Sequence, residues 1–152
     1  MNRRDVLITG AGALFGAVAP SAGGVSGTVG QAPPAAGRRV LGEHVLGPAF
    51  AGWQGTMLEV TYPPGAESAA HQHPGPTFGF VVSGRIKWAI NGGAPQVLEP
   101  GMGFFEPMGS VHSTAANASA TEPARLSVVI LGRPGDELSK PAPKPQEIGS
   151  AP

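Results

Sequence analysis

The chain has 152 residues, and its ten lysines and arginines balance ten acidic residues, so the formal net charge is zero. This length suits one domain, and the lack of a basic excess argues against a nucleic-acid partner. Glycine and proline, with 24 and 17 residues, fill more than a quarter of the chain and exclude a helical bundle. The absence of cysteine excludes disulfides, thiolate metal ligands and a cysteine nucleophile.

The N-terminal segment predicts export. Arg3 and Arg4 precede an uncharged, Gly- and Ala-rich apolar run that begins at Val6, and this order is typical of a secretory signal. The arginine pair resembles a twin-arginine signal, and the apolar run is too short and glycine-rich for a stable membrane span. We therefore assign residues 1–37 to a signal peptide and flexible linker, and we expect a periplasmic or secreted protein.

The middle of the chain, residues 38–133, alternates short apolar runs with turn signals. In Arg85–Ile90 every second residue is apolar, which indicates a strand with one buried face. The candidate strands are Arg39–Leu46, Trp53–Tyr62, Phe78–Val82, Arg85–Ile90, Gln96–Leu98, Gly103–Glu106, Val111–Thr114 and Ala124–Leu131. Many short strands with no helical pattern between them predict an antiparallel sandwich or barrel. The proline-rich residues 134–152 predict an extended, uncovered tail.

Three of the four histidines give the strongest functional signal. His71 and His73 are separated by one residue, so on an extended segment both imidazoles project from the same face. His112 follows a turn in a separate candidate strand, and a third imidazole from there completes one face of a metal coordination sphere. The fourth histidine, His44, is isolated in the sequence and is interpreted as a surface or hydrogen-bonded residue.

The spacing around these histidines resembles the two sequence motifs of the cupin superfamily. The first motif is matched by Gly65, His71, His73 and Gly84. The second motif is matched, with one extra residue before the asparagine, by Gly101, Pro107, Gly109, His112 and Asn117. The resemblance covers about residues 55–131. It implies an all-β double-stranded β-helix, a jelly-roll barrel of antiparallel strands, with a metal held inside near one open end.

One position departs from the family pattern. The first motif normally supplies a glutamate four residues after the second histidine, and this chain has Thr77 there. Because a hydroxyl is a poor ligand beside imidazoles, two interpretations are open. The barrel has lost its metal and is a non-catalytic small-molecule-binding or structural cupin, or three histidines hold the metal, as in the β-diketone-cleaving and thiol dioxygenases among the three-His cupins. The presence of all three histidines favours the second interpretation.

Glu106 is the candidate that compensates for the missing carboxylate. It lies six residues before His112, across the turn that begins at Pro107. A five-residue turn pairs Glu106 with His112 and points it into the barrel, whereas a four-residue turn directs it outward. The sequence leaves both orientations open. An inward Glu106 is a candidate catalytic residue that orients a ligand or water, or is itself the fourth ligand.

These observations predict an exported single-domain cupin that binds a divalent metal through His71, His73 and His112. Fe²⁺ is the preferred metal, and Mn²⁺, Ni²⁺ and Zn²⁺ are the alternatives. Because neutral imidazoles leave the metal charge uncompensated, we expect a small anionic ligand that chelates the metal, and an oxygenase if the site is catalytic. A folded part of about a hundred residues buries a modest share of its surface, so we also expect a homodimer formed through Arg39–Leu46.

Overall fold

The computed structural model describes residues 35–143, so most of the predicted signal and linker lies outside the described residues. Within this range the chain forms eleven strands and a short 3-10 helix at Pro48–Phe50. The strands are β1 (Gly37–Val45), β2 (Gln54–Tyr62), β3 (Glu67–Ser68), β4 (His71–Gln72), β5 (Thr77–Ser83), β6 (Ile86–Ile90), β7 (Gln96–Leu98), β8 (Gly103–Glu106), β9 (Val111–Asn117), β10 (Ala124–Gly132) and β11 (Lys140–Pro141). Each candidate strand has a counterpart, with bounds shifted by three residues at most. Between residues 35 and 143, no helix is long and apolar enough to cross a membrane.

Two antiparallel sheets form the domain. The first has the strand order β1-β2-β10-β5-β8, and the second has the order β11-β4-β9-β6-β7 with β3 also paired to β9. Most neighbours in a sheet are distant in sequence, as β2 and β10 are, which is the connectivity of a jelly roll and not of a meander. The predicted all-β fold, a double-stranded β-helix with antiparallel strands, is confirmed.

The core lies between the two sheets and follows from the alternation of side chains along each strand. On β10, Leu126 and Val128 point inward, opposite Val60 and Leu58 of β2. Ile86 of β6, which is 1% exposed, approaches from the second sheet. Each aliphatic side chain buried in this way contributes roughly 1.5–3 kcal/mol to folding. This packing holds the strand ends that carry the histidines.

Gly84, the last glycine of the first motif, has a backbone that only glycine adopts easily, with φ of 71°. A Cβ at Gly84 would also lie 2.5 Å from the carbonyl oxygen of Pro123. We expect Gly84→Ala to lower the free energy of unfolding by about 3 kcal/mol, measured by urea denaturation. Gly92 has the same φ of 71° and an open surrounding, so Gly92→Ala should cost only about 1 kcal/mol. Equal losses in the two variants would contradict this explanation.

Part of the predicted tail returns to the barrel. Lys140 pairs with Gln72 and Pro141 pairs with His71, so β11 adds a strand to the second sheet. Leu138 packs against the core. The prediction of an uncovered tail therefore does not hold for residues 138–142, whereas Pro134 to Glu137 are exposed. The two-residue strand β4 leaves a free edge whose backbone groups need partners, and β11 supplies them. Pro141 is tolerated in β11 because β11 is itself the edge strand of the sheet.

Candidate metal centre

The three candidate histidines come together at one end of the barrel. His71 on β4 and His112 on β9 are register partners in the second sheet, and their ring centroids are 5.0 Å apart. His73 lies just beyond β4, with its ring centroid 4.9 Å from that of His71. One nitrogen from each imidazole lies within 4.8 Å of the others. The structure thus places the three side chains as a set of ligands for one ion.

Hydrogen bonds fix which nitrogens are available in two of these rings. Nδ1 of His71 lies 2.7 Å from the carbonyl oxygen of Ala69, and Nδ1 of His73 lies 2.6 Å from that of Leu138. A carbonyl only accepts, so each Nδ1 carries the proton and donates, and each Nε2 keeps a free lone pair. This is the usual arrangement of metal-binding histidines, whose second nitrogen is held by an acceptor.

His112 has a different partner and a nitrogen that lacks one. Its Nδ1 lies 3.2 Å from Oε1 of Glu106. Its Nε2 is buried and has no hydrogen-bond partner among the described residues. Such orphaned buried nitrogens are costly, and a metal ion would satisfy this one. Each of the three histidines therefore faces an oxygen with Nδ1.

Burial keeps the imidazoles of His73 and His112 in the form that binds metal. Burial, together with the neighbouring His71 and His73, lowers the pKa of His112 to about 3. Burial likewise lowers the pKa of His73 below its usual value. A neutral imidazole offers a lone pair, whereas a protonated one repels a cation. The neutral rings and the orphaned nitrogen of His112 fit a divalent metal ion.

Glu106 points into the barrel, as one of the two sequence interpretations expected. Its side chain is only 2% exposed. In addition to the contact with His112, its Oε2 lies 3.6 Å from Nε2 of His73, and Nε1 of Trp88 donates to its Oε1 over 3.5 Å. Burial raises the pKa of Glu106 to about 7. The carboxyl group is therefore enclosed among the histidines.

The inward orientation of Glu106 does not come from a hairpin that pairs it with His112, as the five-residue turn would have required. Strand β8 pairs with β5 in the first sheet, whereas β9 belongs to the second, so the chain crosses between sheets after Glu106. The register partner of Glu106 is Thr77, which is also buried and whose Oγ1 donates to the carbonyl of Gly75 over 3.4 Å. The carboxylate that Thr77 lacks is thus supplied from the adjacent strand.

Comparisons with known proteins agree with this geometry. Residues 58–130 match the family model described as a cupin domain. The fold is that of a cupin. An uncharacterized conserved protein with a double-stranded β-helix domain from Klebsiella pneumoniae is 26% identical, with a TM-score of 0.54 over 72% of this chain and 89% of that chain. A cupin domain from Bordetella pertussis is 20% identical, with a TM-score of 0.53 over 67% of this chain and 98% of that chain.

A DMSP lyase from Ruegeria pomeroyi has a lower TM-score, 0.49, at 24% identity. The match covers 57% of this chain but only 42% of the lyase, so the chain spans less than half of that protein's length. No curated protein matches the chain. The comparisons therefore establish the fold, and the chemistry has to be argued from the site itself.

A cavity of about 470 Å³ opens onto the three histidines, a volume in the range of small-molecule sites. Its walls are mostly apolar and are formed by Leu58, Val60, Leu126, Val128 and Ile130. The hydroxyl of Tyr62, which also lines the cavity, lies 3.0 Å from Oγ of Ser68, and burial raises its pKa. The cavity is thus a mostly apolar pocket that also presents the three histidines and the hydroxyl of Tyr62.

Sequence reasoning missed several polar residues of this cavity, among them Tyr62 and Arg38. Tyr62 gave no signal because it looks like an apolar strand residue. The signal for Arg38 was its position beside Arg39, since consecutive residues of a strand face opposite sides. His44, by contrast, is exposed on β1, in keeping with its interpretation as a surface residue.

The carbonyl oxygen of Leu138 contacts Nδ1 of His73, so metal affinity should depend on residues 134–152, the segment that the sequence predicts to be an uncovered tail. Deleting residues 134–152 removes this acceptor for Nδ1 of His73 and also removes β11, the partner of β4. We expect the deletion to weaken Zn²⁺ binding about 10- to 100-fold, measured by competition with a chelating dye. A chain that ends after Pro143 keeps both features and is the matched control. Unchanged affinity in the shorter chain would show that Leu138 does not support the site.

Proposed function

We propose that this cupin is a metal-dependent oxygenase with a three-histidine site that acts on a small anionic, chelating substrate. The observation that carries the proposal is the buried Nε2 of His112, which has no hydrogen-bond partner within residues 35–143, beside two imidazoles whose Nδ1 atoms are already held. In this proposal the ligands are His71, His73 and His112, and the metal is Fe²⁺. When bound, the metal supplies Lewis acidity and the redox chemistry that O₂ requires.

The charges around the site favour an anionic substrate. Three neutral imidazoles leave the charge of a divalent ion uncompensated, and the apolar walls of the cavity exclude counterions. Glu106 supplies one negative charge when ionised, and its position against His112 suits an orienting role. We infer that the substrate brings the remaining charge as an enolate, thiolate or carboxylate.

Glu106 is the candidate catalytic residue. Its carboxylate lies at the edge of the site, with Oε1 facing His112 and Oε2 facing His73. An enol or thiol that binds beside the histidines must lose a proton, and Glu106 is the carboxylate within reach to accept it. The enclosure of this carboxylate also keeps bulk water from competing for the proton.

The protein is first loaded with Fe²⁺ under anaerobic conditions. The test is the O₂ uptake of this loaded protein once O₂ and a candidate substrate are added. We expect uptake that depends on both Fe²⁺ and either acetylacetone or 3-mercaptopropionate, chosen as enolate and thiolate donors, and no uptake by His73→Ala. Protein that takes up no Fe²⁺ would contradict the metal site. Stoichiometric Fe²⁺ without O₂ uptake for either compound would favour the second candidate function, a non-catalytic small-molecule-binding cupin, which the cavity also supports.

We further propose that residues 1–37 direct export of this protein to the periplasm or beyond. The support is the pair Arg3 and Arg4 ahead of an uncharged apolar run. Cell fractionation of a strain that produces the full chain tests this proposal. Replacing both arginines by lysine should retain the protein in the cytoplasm, and unchanged export of that variant would contradict a twin-arginine route.

We also propose a homodimer that forms through β1. This strand is at the edge of the first sheet, where its backbone can pair with a second copy. Val40, Leu41 and Val45 on this strand are 50%, 46% and 69% exposed. Sedimentation should therefore give a dimer at micromolar concentration, and a clean monomer would count against this interface.

A further inference from the structure

Two adjacent arginines on β1 face opposite sides of the first sheet. Arg39 is the register partner of Glu59, and its Nη2 lies 3.3 Å from Oε1 of that glutamate on the outer face. Arg38 is the register partner of Val60, and both residues line the cavity. The alternation of the strand therefore separates an arginine with an outer ion pair from one that faces the site.

Arg38 forms no ion pair with any residue in the described part of the chain. The ion pairs formed by arginines in residues 35–143 join Arg39 and Arg125 to Glu59, and none involves Arg38. Arg38 also makes no side-chain hydrogen bond to any residue in that range. An unpaired guanidinium beside a pocket is a ready partner for a carboxylate, which it binds through two parallel hydrogen bonds.

The surroundings of Arg38 make it the cationic group of the cavity. Two other charged side chains line the cavity, Glu67 and Glu106, and both are acidic. Glu67 is exposed on β3, whereas Glu106 is buried at the histidines. Arg38 is itself exposed, and most of the other residues that line the cavity are apolar. A ligand in the cavity thus meets imidazole nitrogens, hydrocarbon walls and one guanidinium.

We propose that Arg38 is a specificity-determining residue that recognises a carboxylate, and that the substrate is a small organic acid with a metal-chelating group at its far end. In this arrangement the chelating group lies at the histidines, a short apolar body packs along Leu58 and Val128, and the carboxylate pairs with Arg38. The inference rests on the proposed function, because the chelating end needs the metal. It adds the second point of recognition, which the histidines alone do not define.

The test is a binding measurement on the full chain loaded with Zn²⁺, which does not react with O₂. The probes are 4,6-dioxoheptanoate, a β-diketone that carries a carboxylate, and its uncharged methyl ester. Titration calorimetry should show that the wild-type protein binds the acid about 10- to 100-fold more tightly than the ester, the usual effect of a charged hydrogen-bonded pair. Arg38→Ala should lose this preference and bind the ester as the wild type does.

Arg39→Ala is the matched control, because it removes the same charge from the adjacent residue on the outer face. It should keep the preference for the acid. Zn²⁺ content is measured on every sample, which separates the two levels of the proposal. A protein without Zn²⁺ would overturn the metal site and the Arg38 proposal with it. Full Zn²⁺ occupancy with the acid preference intact in Arg38→Ala, or absent from the wild type, would overturn the Arg38 proposal alone.

Discussion

His73→Ala is expected to lose stable metal binding completely, from about one ion per chain to almost none. The three imidazoles are the cluster that could ligate a metal in the described residues, so two neutral nitrogens would remain, which is too few to hold an ion against water. Metal content of dialysed protein, measured by elemental analysis, checks this expectation. The side chain of His73 is 13% exposed, so it is not part of the tightly packed core and the variant should still fold, which circular dichroism verifies.

His44→Ala is the matched control for this loss. His44 is exposed on β1 and belongs to no cluster of possible ligands, so its removal should leave the metal content unchanged. If His73→Ala kept its metal at the wild-type level, the proposed site would be refuted. If His44→Ala also lost metal, the binding seen in the wild type would reflect scattered surface histidines.

Glu106→Gln and Glu106→Leu should differ in metal affinity while both lose activity. A glutamine oxygen can still accept a hydrogen bond from Nδ1 of His112, so Glu106→Gln should keep its metal. Leucine offers no acceptor, and we expect Glu106→Leu to weaken metal binding about 10- to 100-fold. Neither side chain accepts a proton at neutral pH, so oxygen uptake should fall about 100-fold or more in both variants.

Chelator competition and oxygen uptake, measured on the two variants side by side, test this expectation. Complete loss of metal from Glu106→Gln would show that the carboxylate is a fourth ligand, because an amide is a much weaker ligand than a carboxylate. Full activity of Glu106→Gln would remove Glu106 from the chemistry and leave it a structural partner of His112.

The three histidines were predictable because sequence spacing alone decides which side chains share a face of a strand. His71 and His73 share a face on any extended segment, and the cupin motifs place His112 beside them. The inward orientation of Glu106 was left open, because it depends on which sheet β8 joins. Sequence spacing suggested pairing with His112, whereas the structure pairs Glu106 with Thr77, a contact between residues from different motifs.

Other parts of the site had no sequence signal. Strands β3, β4 and β11 have two residues each, which is too short for a period of two to show. The acceptor for His73 is the backbone carbonyl of Leu138, and every residue has such a carbonyl, so composition cannot indicate which one is used. The role of Arg38 depends on the register of β1 against β2, which decides which of two adjacent arginines faces the cavity.

The most direct test of the metal centre is X-ray absorption spectroscopy of the full chain loaded with one divalent ion. We predict one ion per chain with three imidazole nitrogens at roughly 2.0–2.2 Å, and a signal that loses one imidazole or disappears in His112→Ala. An ion that is surrounded by water and carboxylate oxygens, with fewer than three imidazoles, would contradict the assignment of His71, His73 and His112 as its ligands.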